Sequence, residues 1–241
     1  MNVLAIGNSF SRDATRYLHQ IARADGVKLD VCNLFIGGCP LEKHFRNMYS
    51  EDDAYELDYN GQMTTFKVSL KQALLNRSWD IVTLQQSSIN SFVKESYFPY
   101  ITLLADYVKT LCPKAKIVIH QTWAYENGGK SMLKTPFSDH HEMLDAVKNA
   151  YAQVAKEVPS EGIIPSGELL GFLLKNGVPS VHRDGHHTTK GLGRYAMGLL
   201  WYHMLTGAAV KDNTFCDFDE PVDAQHILLA KQFVDSRTPI F

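Results

Sequence analysis

Short apolar runs alternate along this chain with longer stretches of helical periodicity, and that alternation constrains the fold more than any other feature. Val3 to Ile6 reads as a first strand, followed by a helical pattern with Tyr17, Leu18, Ile21 and Ala22 on one face. Val27 to Leu34 reads as a second strand. Ile81-Val82-Thr83-Leu84 is a third, apolar throughout in the manner of a strand covered on both faces. Tyr100 to Leu111 predicts a helix ending before Pro113, Ile117 to Ile119 a fourth strand, His140 to Val158 a further helix, and Gly162 to Ile164 a short fifth strand. Gly191 to Leu205 and Ala224 to Val234 close the chain as helices. Strands separated by helices require right-handed crossovers and a parallel sheet. The expected fold is therefore α/β, a three-layer α/β/α sandwich around a five-stranded parallel sheet. Tyr55 to Phe66 interrupts the pattern. Asn60-Gly61 lies there between Tyr-, Leu- and Thr-rich flanks, which predicts a small β-hairpin insertion.

Composition narrows the class of partner. The 241 residues suit one domain with one core, spanning 1–241. Lys and Arg number 24 against 26 Asp and Glu, a net charge of -2 with no basic run, so a nucleic-acid backbone has no electrostatic footprint. Four cysteines are scattered without a Cys-x-x-Cys pair, which gives no support to a zinc ribbon. No stretch approaches the length of a membrane span, and the N-terminus runs directly into the first strand. The expected setting is cytoplasmic, or secreted or periplasmic if a leader has been cleaved.

Ligands of open parallel sheets bind beyond the carboxyl ends of the strands. After strand one comes Gly7-Asn8-Ser9-Phe10-Ser11, which places Ser9 at a helix N-terminus with its amide able to face developing negative charge; Ser9 or Ser11 serves equally well as a helix cap. After strand two, Gly37-Gly38 offer backbone N–H groups or form an ordinary turn. After strand three, Gln85-Gln86 place two amides at the end of an apolar strand, where each needs partners. An amide aimed into the cleft is an oxyanion donor, and one aimed elsewhere braces loops. Before the last long helix, Asp184-x-x-His187 can set a carboxylate on one imidazole nitrogen and leave the other as general base. His182, Asp184, His186 and His187 are also a candidate ligand set, with Asp139-His140-His141 the only second cluster. No metal or cofactor is expected. After strand four, Trp123 and Tyr125 stand beside polar groups and could stack on a sugar ring, although Trp123 could as readily pack within the loop.

In this order the blocks resemble the SGNH hydrolases, the GDSL-like lipases and esterases. Gly7-Asn8-Ser9 matches their first block, Gly38 (or Gly37) resembles the second, and Asp184-x-x-His187 matches the last. The third block, usually Gly-x-Asn-Asp, is replaced by Gln85-Gln86. The resemblance implies a serine esterase with Ser9, Asp184 and His187 as the catalytic triad. Its oxyanion hole would comprise Ser9, Gly38 and Gln86, with Gln85 or Asn90 as substitutes for Gln86. Asn8, Gln85, Trp123, Tyr125 and His186 are the expected substrate contacts. The favoured partner is a small-molecule or carbohydrate ester, an O-acetyl group above all, with no nucleic acid and no membrane; oligomeric state stays open. A long-chain lipase or thioesterase, a flavodoxin-like phosphate- or nucleotide-binding module and a metal-dependent hydrolase are the alternatives.

Overall fold

In a computed structural model describing residues 1–241, the predicted strands form at the predicted places. They are β1 (Asn2–Gly7), β2 (Asp30–Phe35), β5 (Ile81–Leu84), β6 (Lys116–His120) and β7 (Ile163–Ile164). All five run parallel, in the order β2-β1-β5-β6-β7. β5 is buried at every position, as a strand covered on both faces must be.

The sheet is larger than expected. The hairpin, β3 (Tyr55–Tyr59) and β4 (Gln62–Val68), does not stand apart: β3 pairs antiparallel with β2, Cys32 opposite Tyr59 and Phe35 opposite Glu56. The expected five-stranded parallel sheet is therefore a mixed sheet of seven, in which β3 takes up the N–H and C=O groups along the edge of β2 and β4 becomes the edge strand. Asn60 and Gly61 both take positive φ, 50° and 79°, the backbone that a two-residue hairpin turn demands.

Helices cover both faces. On one, α1 (Ser9–Thr15) and α2 (Leu18–Ala24) pack with α8 (Leu192–Thr206), which packs in turn on α9 (Ala224–Asp235). On the other, α3 (Leu41–Ser50), α4 (Leu70–Leu75) and α5 (Tyr100–Leu111) pack on one another, while α6 (His140–Val154) packs on α7 (Ser166–Lys175), which also packs on α8 and α9. The buried apolar side chains make one continuous cluster of 64 residues, so both layers share a single core. No helix is long and apolar enough to cross a membrane.

The helix expected after β1 is two. It breaks at Arg16-Tyr17, where Tyr17 is 1% exposed, donates its hydroxyl to Lys190 O (2.8 Å) and accepts from Asp219 N (2.6 Å). The Arg16 carbonyl, released from the helical ladder, lies against Gly61 at the hairpin turn. A β-carbon on Gly61 would fall on that carbonyl. Gly61→Ala should therefore destabilise the fold by about 2 kcal/mol or more, from positive φ and collision together, as read by urea unfolding; an unchanged midpoint would show that the hairpin does not dock there.

Candidate active site

The carboxyl ends of β1, β2, β5 and β6 open on one cleft of about 530 Å³. Asn8, Ser9, Gly37 and Gly38 line it from the first two strand ends, Ser87 and Ser88 from the third, and Tyr125, Ser131 and Lys134 from the segment after β6. His186 and His187 complete the wall. Ser9, Gly38, Asn8, Tyr125, His186 and His187 are thus brought together from four separate stretches of chain.

Ser9 is the first residue of α1, where backbone N–H groups have no intrahelical acceptor. Asn8 caps the helix, its Oδ1 accepting from Phe10 N (3.0 Å), while its Nδ2 donates to Cys39 O (3.2 Å) and ties the first loop to the second. Gly7 has to be glycine, because a β-carbon there would collide with the Ser11 side chain just inside the helix.

The Asp184–His187 pair is assembled on a small closed loop. His182 and Thr188 form an isolated antiparallel bridge, and Arg183 N donates to His187 O (3.0 Å). Within the loop, Asp184 Oδ2 lies 2.7 Å from His187 Nδ1, and Asp184 Oδ1 accepts from the backbone N–H of His187 (2.8 Å) and of His186 (3.3 Å). Partial burial pushes the Asp184 carboxyl up, but these hydrogen bonds outweigh it and hold the group down at about 2. An ionised Asp184 keeps the His187 proton on Nδ1 and leaves Nε2 as the acceptor. Burial, and then the neighbouring His187 ring, push His186 below the usual histidine range, so it is neutral near pH 7.

Two long-range fastenings place this loop against α1. Asp13, 1% exposed and one turn along α1 from Ser9, accepts from Arg183 Nη1 (2.9 Å) and Arg194 Nε (2.8 Å). From the other side, Trp123 Nε1 donates to His186 O (2.7 Å) and Glu126 N donates to Gly185 O (2.9 Å).

Three expected contacts fall elsewhere. Gln86 is not at the oxyanion position. Its Nε2 donates to Ser96 O (2.9 Å) and Ser96 Oγ (3.1 Å), and its Oε1 accepts from Leu41 N and Ser87 N, so the amide splices α3 to the loop after β5. Asn90, its substitute, does not line the cleft either. Gln85 is 1% exposed and supports the site from behind: Nε2 donates to Asn8 Oδ1 (2.8 Å), and Oε1 accepts from His120 Nδ1 (2.9 Å). Trp123 is fully buried, stacked under Phe10 with ring centroids 3.8 Å apart, and offers no face to a sugar. Tyr125 does reach the cleft, its hydroxyl 2.8 Å from Ser88 Oγ.

Ser131 and Lys134 are additions that no motif announces. They lie on an irregular loop whose only order is the short 3₁₀ turn Met132–Lys134. As for a metal, Asp184, His186 and His187 bring ligand atoms within 4.8 Å of one another, but both Asp184 oxygens already accept from the histidines. His182 stands outside that group, its Nε2 bonded to Ala124 O (3.0 Å).

This seven-stranded α/β/α fold, with its cleft at the strand ends, is that of the SGNH hydrolases. It superimposes at TM-score 0.60 on a candidate SGNH hydrolase from Slackia heliotrinireducens (21% identity, 85% of this chain and 98% of that one). It does so at TM-score 0.58 on a carbohydrate esterase family 3 protein from Talaromyces cellulolyticus (13% identity, 89% and 100%). The chain belongs to the family described as "Domain of unknown function (DUF4886)", whose model matches residues 2–235. A DUF4886 family protein from Bacteroides uniformis superimposes at TM-score 0.89 with 30% identity, over 98% of this chain and 93% of that one. No curated protein matches the chain.

Burial holds His120 at about 3 and His182 at about 4, against 6.5 for a free ring. Below pH 6.5 the unfolded chain binds protons that the folded chain excludes, so stability present above that value is lost as the pH falls towards 4. From pH 7 to pH 5 each ring should account for a loss of about 2 kcal/mol in urea unfolding. A combined loss under about 1 kcal/mol would show that these rings protonate in place.

Proposed function

We propose that the protein is a serine hydrolase of small acyl esters. Ser9 Oγ attacks the ester carbonyl while His187 Nε2 takes its proton, and Asp184 holds the tautomer and stabilises the imidazolium. The tetrahedral oxyanion is received by the backbone N–H groups of Ser9 and Gly38. Asn8, the one carboxamide lining the cleft, takes the place expected of Gln86. As the intermediate collapses, His187 returns the proton to the leaving alcohol. Water, deprotonated by the same nitrogen, then releases the acid from Ser9. The observation that carries this reading is the 2.7 Å Asp184–His187 pair on the wall of the cleft that Ser9 enters from a helix N-terminus.

For the substrate we favour a short acyl group, acetyl on a carbohydrate hydroxyl. Trp123 no longer supports that choice. The cleft's own lining does, being rich in hydroxyl and backbone donors: Ser87, Ser88, Ser131, Tyr125 and the Gly37-Gly38 loop. The more apolar cavity, about 360 Å³ between the hairpin and α4, shares no residue with the cleft and gives a long acyl chain no path from Ser9. A phosphate-binding module is less well served, because Asn8 already caps α1 and consumes its Phe10 N–H.

Wild-type protein should hydrolyse p-nitrophenyl acetate faster than the octanoate and be indifferent to chelators. It should also be labelled by a fluorophosphonate probe. Ser9→Ala should abolish labelling, and Ser9→Ala or His187→Ala should each lower kcat by about a thousandfold or more. Labelling that survives in Ser9→Ala would refute Ser9 as the nucleophile, loss of activity on chelation would favour a metal hydrolase, and a preference for octanoate would favour a lipase.

A further inference from the structure

The cleft is electrostatically one-sided. Among the side chains that line it, Lys134 is the only one with a fixed charge, and no carboxylate lines it at all. Asp184, the carboxylate of the neighbouring loop, does not line the cleft and is turned onto the ring and backbone N–H groups of His187 and the backbone N–H of His186, keeping its negative charge there. Three lysines of the chain have acidic partners, Lys71 with Glu51 (2.7 Å), Lys94 with Glu157 (2.6 Å) and Lys148 with Asp145 (3.6 Å). Lys134 has none; it is exposed and lines the cleft.

Its position is nevertheless fixed. Lys134 closes the 3₁₀ turn Met132–Lys134, in which Met132 is 2% exposed and acts as the anchor. Lys134 N donates to Ser131 O (3.2 Å) and Thr135 N to Met132 O (2.9 Å). Ser131 Oγ lies 3.1 Å from His186 Nδ1, which fastens the turn to the loop that carries the base. A lysine held on such a turn pays little backbone entropy when it meets a ligand. A single unpaired cation in a concave site free of carboxylates attracts an anion more strongly than the same charge on an open surface.

We propose that Lys134 selects esters whose alcohol part carries an anionic group, a carboxylate or a phosphate, close to the acylated hydroxyl. The proposal rests on Ser9 being the ester-cleaving nucleophile. In a chain of net charge -2, Lys134 thus puts one positive charge on the wall of the cleft, and the favoured substrate is an acidic sugar ester instead of a neutral one. Lys134 contacts the non-reacting part of the substrate equally in ground and transition states, so its contribution falls on KM and leaves kcat alone.

The test compares O-acetylated glucuronate with O-acetylated glucuronamide, nearly isosteric and differing in charge, and adds acetylated glucose 6-phosphate as the phosphate arm. Wild-type protein should favour a charged substrate by about tenfold in kcat/KM through KM, with the preference shrinking in 0.5 M salt. Lys134→Gln should bring the ratio close to one, and Lys134→Glu should invert it. Each ratio is internal to one protein, so a loss of folded material cancels. Whichever of the carboxylate and phosphate arms gains more identifies the anion. Equal rates on the charged and uncharged sugars, a ratio unchanged in Lys134→Gln, or refusal of every acetylated sugar while p-nitrophenyl acetate is cleaved would overturn the proposal and leave the Ser9 esterase standing. Failure on p-nitrophenyl acetate as well, with no fluorophosphonate labelling, would remove both.

Discussion

A buried carboxylate on a seven-residue helix holds the two halves of the site in register. Asp13 and Ser9 are four residues apart on α1, one turn, so whatever fixes Asp13 also fixes Ser9. Its partners, Arg183 and Arg194, stand 170 and 181 residues further along, one of them directly before Asp184. Deleting one member of a buried ion pair typically costs 3–5 kcal/mol, about, because the survivor is left uncompensated. The chain therefore has a strong energetic reason to close the base loop onto α1, and short α1 has little propensity of its own to hold a defined pose without it.

A second device works through neutral groups. Gln85 Nε2 donates to Asn8, so its Oε1 must accept from His120 Nδ1–H, which leaves His120 Nε2 to accept from Ser166 Oγ (3.1 Å). Every proton in this line has one place to be. The order runs from the start of α7 through β6 and β5 to the cap of α1, and burial keeps His120 uncharged at its centre. Such a line fixes which way the Asn8 amide faces, something that apolar packing alone would leave two-fold ambiguous.

Much of the architecture was legible in sequence, because strands buried on both faces write themselves as unbroken apolar runs such as Ile81 to Leu84. The hairpin was legible too, from Asn60-Gly61, but its attachment was not: whether it pairs with β2 depends on which edge is left open, a property of the assembled sheet. At Gln85-Gln86 the limit is sharper. Successive residues at a strand end point to opposite sides, and nothing local says which side becomes the cleft. Gln85 turns to Asn8 and His120, Gln86 to Leu41 and Ser96. Trp123 misled for a related reason, since an aromatic after a strand is equally a cleft rim or a core plug, and the partner that decides, Phe10, is 113 positions away. Asp13 gives no local sign of its role, and neither Ser131 nor Lys134 belongs to any motif.

The Phe10–Trp123 stack has a consequence for observation. Phe10 follows the nucleophile directly, and the indole beneath it donates to the carbonyl of His186. One chromophore thus touches both the helix that bears Ser9 and the loop that bears His187. A shift in the distance between those two segments changes the packing and hydrogen bonding of that indole. Among the three tryptophans of the chain, Trp123 is thus the one whose emission reports on the spacing of those two segments.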